Sequence, residues 1–172
     1  TFLIVAGAIT KSDILLKGLD INDTQGDKEV IKYLKKMGAD IKVEPEGIRI
    51  KGRELTGIDI DLNNTPDALQ ALAIIGCFAK GTTTLYNVAH ARIKETDRIK
   101  VMTQELVKMG ANIRETQDGM VIKQSKLKGT KVDGHYDHRV IMALSLAGII
   151  SEGTTSISSS EAIEITFPDF VK

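Results

Sequence analysis

The chain has a single cysteine, no net charge and no long hydrophobic run, and each shortage excludes a class of protein. Cys77 cannot form an internal disulfide, and its apolar neighbours indicate a buried small side chain in a reducing compartment, not a catalytic thiol. The 23 basic and 23 acidic residues balance, so no overall basic field favours a nucleic acid or an anionic membrane. We therefore expect a cytoplasmic protein with only local affinity for anions.

The first apolar run, residues 1–9, is too short to cross a bilayer, and no basic residue precedes it as one would in a signal peptide. We expect it to form a buried helix. Because this helix begins without a cap or a lead-in, it suggests a segment of a longer protein. The 172 residues, 42% of them hydrophobic, suffice for one soluble globular domain with a proper core.

An internal repeat relates distant parts of the chain. Residues 36–41, Lys-Met-Gly-Ala-Asp-Ile, return 72 positions later as Lys-Met-Gly-Ala-Asn-Ile, and the Gly-Thr-Thr of residues 81–83 returns at 153–155. So long a period indicates duplicated supersecondary units and not a short-repeat solenoid. We interpret the chain as two complete units and the first half of a third. The units span about 1–65, 66–138 and, in part, 139–172.

Each unit opens with a helix that is apolar on nearly all sides, which is typical of a helix in the middle of a domain. A strand, an amphipathic helix and two short strands joined by a glycine-containing turn follow it. The apolar helices are predicted over 2–9, 66–78 and 139–150, and the strands over 14–16, 40–43, 47–51, 83–86, 112–115, 120–123 and 155–157. The first amphipathic helix presents Val30, Leu34 and Met37 on one face and ends before Gly38. We therefore expect a pseudo-threefold α/β domain with three buried helices inside, whose last unit is completed by a segment absent here.

Residues 92–98, Arg-Ile-Lys-Glu-Thr-Asp-Arg, place three cations and two carboxylates at the predicted start of the second amphipathic helix. We expect Thr96 to be the N-cap of that helix, because Ile99 and later apolar residues have helical spacing. The free N–H groups and the dipole of a helix N-terminus attract anions, and Lys94 and Arg98 add charge there. The run is either a receptor for phosphate or carboxylate or a solvated, salt-bridged helix start.

Five segments carry a likeness to known proteins. They are Asn-Thr-Pro-Asp-Ala at 64–68, Ala-Lys-Gly-Thr-Thr-Thr-Leu at 79–85, the run at 92–98, Tyr-Asp-His-Arg at 136–139 and Thr-Phe-Pro-Asp at 166–169. Together they resemble the 5-enolpyruvylshikimate-3-phosphate (EPSP) synthase family over the whole length of the chain. The resemblance implies a pseudo-threefold, inside-out α/β barrel domain of βαβαββ units with buried parallel helices. It makes the chain most of the C-terminal domain of two, with the N-terminal domain and an N-terminal segment absent.

The resemblance also implies a reaction, the transfer of the enolpyruvyl group from phosphoenolpyruvate to the 5-hydroxyl of shikimate 3-phosphate with release of phosphate. It implies no metal or organic cofactor. Such a site must hold two multiply charged anions side by side, with a base at the hydroxyl and an acid that protonates C3 of phosphoenolpyruvate. Because the family's active site lies in the cleft between two domains, we expect this segment alone to be inactive.

The resemblance assigns acid–base roles to three residues. Asp67 is the expected base that accepts the 5-hydroxyl proton and orients shikimate 3-phosphate; considered without the family, it is a first-turn carboxylate that complements a helix dipole. Lys94 is expected to contact the same hydroxyl and the phosphate of phosphoenolpyruvate. Glu95 is our candidate for proton delivery to C3.

Four further residues are expected to bind substrate. Arg98 and Arg139 correspond to the family's phosphoenolpyruvate clamp, because a planar guanidinium can engage carboxylate or phosphate through two bonds. His138 precedes Arg139 at the start of the third apolar helix, where the helix N-terminus reinforces the cation. His90 is expected near shikimate 3-phosphate. One departure concerns residues 164–165, Glu-Ile, where many members carry a lysine that reaches phosphoenolpyruvate.

Other kinds of site are disfavoured by the same residues. His135, Asp137 and His138 are too closely spaced on one strand-to-helix turn to converge on a metal ion. Residues 81–83 follow a helix and precede a strand, the reverse of the order in a nucleotide-binding loop. Two alternatives stay open: the sister enzyme that transfers enolpyruvyl to UDP-N-acetylglucosamine, and a non-catalytic anion-binding domain of the same fold.

Overall fold

The structure is a computed structural model that describes residues 1–10, 12–19 and 28–170. Helices and strands alternate along these residues. The α-helices are α1 (Phe2–Ile9), α2 (Glu29–Lys36), α3 (Leu69–Phe78), α4 (Arg98–Lys108) and α5 (His138–Ile150). The strands are β1 (Asp13–Lys17), β2 (Asp40–Glu44), β3 (Gly47–Lys51), β4 (Asp59–Asp61), β5 (Thr82–Tyr86), β6 (Asn112–Thr116), β7 (Gly119–Lys123), β8 (Lys131–Asp133) and β9 (Ser156–Ser158). Three 3₁₀ turns occur over Pro66–Ala68, Ala89–Ile93 and Ser160–Ile165.

The three apolar helices form the core, and each of them contacts the other two. Every residue of α3 from Leu69 to Cys77 is buried, as its all-round apolar surface predicts. Cys77 lies among them, so its predicted burial is confirmed, and this burial raises the pKa of its thiol to about 12. The helices α1 and α5 are buried along most of their length but expose Leu3 and Ile149.

Three sheets surround these helices, and the structure is a mixed α/β fold. β3 pairs antiparallel with both β1 and β2, and β7 pairs antiparallel with both β5 and β6. The predicted hairpins β2–β3 and β6–β7 are thus confirmed. β4 and β8 were not predicted, although β4 lies within a run that alternates apolar and acidic residues, Ile-Asp-Ile-Asp-Leu at 58–62. They join parallel neighbours, β4 beside β5 and β8 beside β9.

The two amphipathic helices differ from the three apolar ones in sequence pattern and in burial, because each buries only one face. α2 buries Val30, Ile31 and Leu34, and Gly38 follows it with a φ of 102°, the left-handed conformation of a helix-ending glycine. α4 likewise buries one face and is followed by Gly110, whose φ is 89°. No helix in the described ranges is long and apolar enough to span a membrane.

The prediction that Thr96 caps α4 is wrong. Asp97 is the N-cap, and its Oδ1 accepts from the Lys100 amide at 3.0 Å. The hydroxyl of Thr96 instead donates to Asp137, 41 positions away, at 3.1 Å. Aspartate and threonine are both good N-caps, so the local sequence does not show whether Thr96 or Asp97 caps the helix. Asp97 caps it because the Thr96 hydroxyl bonds Asp137 instead.

Candidate active site

The starts of three helices meet at one place. Asp67 lies in the 3₁₀ turn that leads into α3, Arg98 is the first residue of α4, and Arg139 is the second residue of α5. Asp67 Oδ1 accepts from Arg98 Nη1 at 2.9 Å, and its Oδ2 accepts from Arg139 Nη2 at 3.0 Å. One carboxylate therefore bridges two guanidinium groups that lie 31 and 72 positions away in the sequence.

The Arg98 side chain is enclosed by carboxylates and is only 1% exposed. Its Nε and Nη2 donate to the two oxygens of Asp137 at 2.8 and 3.2 Å. Its Nη2 also lies 2.7 Å from Glu95 Oε2, and its Nη1 bonds Asp67. Because the Asp137 pair fixes one edge of the planar group, the opposite edge is oriented towards Asp67 and Glu95.

Asp137 is the residue of this site whose role the sequence reasoning missed. It is fully buried, and besides Arg98 it accepts from the Thr96 hydroxyl and from the Arg139 amide, which makes it the N-cap of α5. Burial raises the pKa of Asp137, but the bonds and charge of Arg98 lower that pKa by more, with the Arg139 amide and Thr96 assisting. The net pKa lies below its ordinary value, so the carboxylate stays ionised. An aspartate before an apolar helix signals a cap, but nothing local indicates the pair with Arg98.

We call Asp67, Glu95, Arg98, Asp137 and Arg139 the Asp67 cluster. Arg139, together with its neighbour His138, also lines an apolar cavity of about 470 Å³. The Arg139 side chain is 23% exposed, so it reaches solvent where Arg98 does not. His138 is half-buried. The cavity is walled by α1, β1, α5 and the residues after the last 3₁₀ turn, including Phe2, Leu16, Met142 and Phe167.

Of the other predicted site residues, Glu95 bonds another member of this cluster, whereas Lys94 and His90 do not. Glu95 is half-exposed and bonds Arg98, as described above. Lys94 is exposed, directly follows the 3₁₀ turn Ala89–Ile93, and makes no hydrogen bond or ion pair within the described residues. His90 is half-buried in that turn and likewise has no partner in the described part of the chain.

The residues of the run at 92–98 divide between two sets of contacts. Arg92 is a structural residue: it donates to Asp97, to Glu115 and to the backbone oxygens of Thr116 and Gln117 at 2.6 to 3.2 Å. Arg98, six positions later, faces Asp67 instead. Arg92 and Asp97 therefore form a salt-bridged helix start, whereas Glu95 and Arg98 belong to the cluster around Asp67. The role of the run as a receptor for phosphate or carboxylate stays a prediction.

No group of three His, Cys, Asp or Glu residues that could hold a metal ion occurs in the described ranges. His135, considered above beside Asp137 and His138, has its Nε2 3.0 Å from Glu105 Oε1. Glu164 and Ile165, which stand where many EPSP synthases carry a lysine, are exposed in the 3₁₀ turn Ser160–Ile165.

Comparison with known proteins gives this cluster a context. The family model described as EPSP synthase (3-phosphoshikimate 1-carboxyvinyltransferase) matches residues 1–172. Relatives named 3-phosphoshikimate 1-carboxyvinyltransferase from Acetivibrio thermocellus and Ruminiclostridium cellulolyticum are 56% and 51% identical, over 99% and 100% of this chain. The chain spans only 40% and 41% of their lengths.

The fold comparison agrees with the sequence comparison. A solved EPSP synthase from Acinetobacter baumannii superposes with a TM-score of 0.89 and 36% identity, over 98% of this chain and 42% of that one. The family match over every residue, the identities above one half and the common fold lead to the same conclusion. The chain belongs to the EPSP synthase (3-phosphoshikimate 1-carboxyvinyltransferase) family.

Proposed function

We propose that this chain supplies one wall of an EPSP synthase active site, which transfers the enolpyruvyl group of phosphoenolpyruvate to the 5-hydroxyl of shikimate 3-phosphate and releases phosphate. The observation that carries the proposal is the Asp67 carboxylate held between Arg98 and Arg139 at the junction of three helix starts. A base and two planar cations are the groups that a reaction between a hydroxyl and a dianion requires. The opposite wall belongs to a further domain of a longer protein.

The chemistry divides between Asp67, Glu95 and Lys94. Asp67 takes the 5-hydroxyl proton as the oxygen bonds to C2 of phosphoenolpyruvate, and Glu95 in its acid form protonates C3. Elimination then breaks the bond between C2 and the phosphate oxygen and returns the C3 proton to Glu95. The proton taken by Asp67 leaves with the phosphate, relayed by Lys94. The ammonium of Lys94, which is exposed and has no partner among the residues that the structure describes, suits contact with that phosphate.

The contacts of Asp67 suit the two arginines to substrate binding. The bridging carboxylate holds both guanidinium groups side by side. When the 5-hydroxyl engages Asp67, the donor groups Arg98 Nη1 and Arg139 Nη2 are released for the carboxylate or phosphate of phosphoenolpyruvate. His138 then lines the phosphoenolpyruvate side and His90 the shikimate side.

The full architecture follows from the repeat. The order of apolar helix, strand, amphipathic helix and hairpin occurs as α1-β1-α2-β2-β3 and again as α3-β5-α4-β6-β7, and α5-β9 repeats its beginning. We assign units 1–65, 66–138 and a partial 139–172 to one pseudo-threefold, inside-out α/β barrel domain with parallel buried helices. A segment of the longer protein completes the third unit, in keeping with the 40% of the Acetivibrio thermocellus relative's length that the chain spans. The whole enzyme is cytoplasmic and uses no cofactor.

Substrate dependence tests the proposed function. The full-length protein that contains this segment should release phosphate from phosphoenolpyruvate only when shikimate 3-phosphate is present. Asp67→Ala and Lys94→Ala should each lower the rate by at least about a hundredfold, the usual effect of removing an acid–base group. Activity with UDP-N-acetylglucosamine in place of shikimate 3-phosphate would favour the sister enzyme, and failure with both acceptors would favour a non-catalytic domain.

A further inference from the structure

The turn between β8 and α5 has an unfavourable backbone. His135 and Tyr136 are consecutive non-glycine residues with φ values of 51° and 55°. Left-handed conformations place the Cβ atom of an L-residue close to the following carbonyl, so two in succession persist only when other contacts impose them. The next residue is Asp137, so the turn sets the position of the carboxylate that holds Arg98.

Glu105 supplies such contacts from a neighbouring helix. It lies on α4, two turns after Arg98, and is 1% exposed. Its Oε2 accepts from the Asp133 amide at 3.0 Å, and its Oε1 lies 3.0 Å from His135 Nε2. Lys108 donates to both oxygens at 2.7 and 2.8 Å from the solvent side. The buried carboxylate is therefore shared between Lys108 on the solvent side and the Asp133 amide and His135 ring at the beginning of the turn.

The opposite side of the turn is anchored by β9. Asp133 Oδ1 accepts from the His135 amide at 2.8 Å and from the Ser159 hydroxyl at 3.0 Å. The Gly134 amide donates to the Ser158 oxygen at 3.0 Å. These contacts keep the turn on the sheet, and Glu105 ties its beginning to α4, the helix that carries Arg98.

α4 thus holds the turn at two points. Arg98 bonds Asp137 at the end of the turn, and Glu105 bonds Asp133 and His135 at its beginning. Since Asp137 also caps α5 through the Arg139 amide, a shift of the turn moves the partners of both arginines. The distance between Arg98 and Arg139 depends on this arrangement.

We propose that Glu105 is a positioning residue for phosphoenolpyruvate binding: by fixing the strained turn at 134–136, it sets the relative placement of Arg98 and Arg139. This inference rests on the proposed function, since it assigns phosphoenolpyruvate to these two arginines. Glu105 itself touches neither substrate. Its effect is on capture of phosphoenolpyruvate and not on the proton transfers at Asp67.

The first test is Glu105→Gln in the full-length protein, because glutamine keeps the size and one acceptor oxygen but loses the second. KM for phosphoenolpyruvate should rise about tenfold, while KM for shikimate 3-phosphate and kcat change by less than about threefold, as expected for misplaced binding groups. Lys108→Met is the matched control, because it removes the outer partner of Glu105 and leaves the turn contacts. Equal rises in both KM values, or an unchanged KM for phosphoenolpyruvate, would overturn the proposal.

His135 provides the second test through a conservative replacement. His135→Gln keeps an N–H donor at a similar reach from the backbone and should leave KM for phosphoenolpyruvate near wild type, whereas His135→Ala should raise it. Because Glu105 and His135 share one contact, the effects of Glu105→Gln and His135→Ala should be less than additive. Additive effects would contradict the shared role.

A measurement without catalysis separates this inference from the proposed function. Amide hydrogen exchange at residues 133–137 should accelerate at least about tenfold in Glu105→Gln, because local opening of the turn then requires less free energy. An unchanged exchange rate would refute the positioning role whether or not the protein turns over. An inactive wild-type protein with accelerated exchange in the variant would refute only the proposed function.

Discussion

At the scale of single residues, the candidate site combines groups that sequence can identify with groups that only the fold brings together. Asp67, Arg98 and Arg139 were chosen from motifs, and the structure joins them through one carboxylate. Asp137 and Glu105 could not be chosen in this way, because their partners are 39 and 30 positions away. Buried charges need such partners, but the sequence does not say which residues will provide them.

The two arginines of the run at 92–98 allow a matched comparison. Arg98→Lys in the full-length protein should raise KM for phosphoenolpyruvate at least about tenfold, because lysine keeps the charge but not the planar fork. Arg92→Lys should leave that KM within about twofold, because Arg92 bonds Asp97 and Glu115 and not Asp67. Steady-state kinetics with varied phosphoenolpyruvate measure both values. Similar effects of the two variants would remove Arg98 from the substrate site.

The buried pair of Arg98 and Asp137 predicts a dependence of stability on pH. Asp137→Asn should lower the free energy of unfolding by about 3 kcal/mol at pH 7, because it leaves a buried guanidinium without its fully buried charge partner. The pKa of Asp137 is lower in the folded protein than in the unfolded chain. Its stabilising contribution is therefore complete above the unfolded value near 3.8 and is lost as the pH falls below it.

Denaturant titrations between pH 7 and pH 2 measure this contribution. The difference between wild type and Asp137→Asn should shrink as the pH falls through that window. Glu105 also has a lowered folded pKa, because its bonds to His135, Lys108 and the Asp133 amide outweigh its burial. The Asp137→Asn variant, which keeps Glu105, should therefore still lose some stability as the pH falls. A difference that stays constant down to pH 2 would contradict the ionised state of Asp137.

At the scale of elements, hydrophobic patterning predicted the helices and the long strands well. α1 and β3 have the predicted bounds, and the hairpins β2–β3 and β6–β7 follow from short apolar strands around a glycine turn. The short strands β4 and β8 were missed, yet they lie 72 positions apart, at 59–61 and 131–133, and occupy equivalent places. The alternating run at 58–62 carries the signal for the first of them, and the repeat would then have revealed the second.

A glycine precedes each of these short strands at a place where the backbone of another segment comes very close. Gly57 donates its amide to the Lys80 oxygen at 2.8 Å, and Gly129, 72 positions later, donates to the Glu152 oxygen at 2.7 Å. A Cβ atom at either glycine would overlap the backbone of Thr82 or Thr154. Gly57→Ala and Gly129→Ala should each cost at least about 2 kcal/mol of unfolding free energy, because backbone cannot yield as a side chain can.

Gly81→Asn is the matched control for these variants. Gly81 has a φ of 84° and nothing within 4 Å of an added Cβ, and asparagine tolerates the left-handed region. Its replacement should cost less than about 1 kcal/mol. Chemical denaturation measures the free energy of unfolding of the three variants. If Gly57→Ala or Gly129→Ala left that free energy unchanged, the parallel pairing of β4 and β8 would not be tightly constrained.

At the scale of the whole molecule, the proposed function makes the chain one wall of a site whose chemistry needs more charge than the chain provides. The two cations that bond Asp67, Arg98 and Arg139, are already paired with carboxylates. Two adjacent substrates with several negative charges repel each other strongly in a cleft, so we expect additional cations from another part of the longer protein. Family membership supports this, because the chain covers 40% of the Acetivibrio thermocellus relative.

The measurement that tests this account most directly is phosphate release by the 172-residue chain and by the full-length protein, both supplied with phosphoenolpyruvate and shikimate 3-phosphate. The chain alone should show no turnover and at most weak binding of either substrate. The full-length protein should release phosphate continuously, and Asp67→Ala should abolish this release. Turnover by the isolated chain, or normal turnover by the full-length Asp67→Ala variant, would contradict the claim that this segment is one wall of a shared site centred on Asp67.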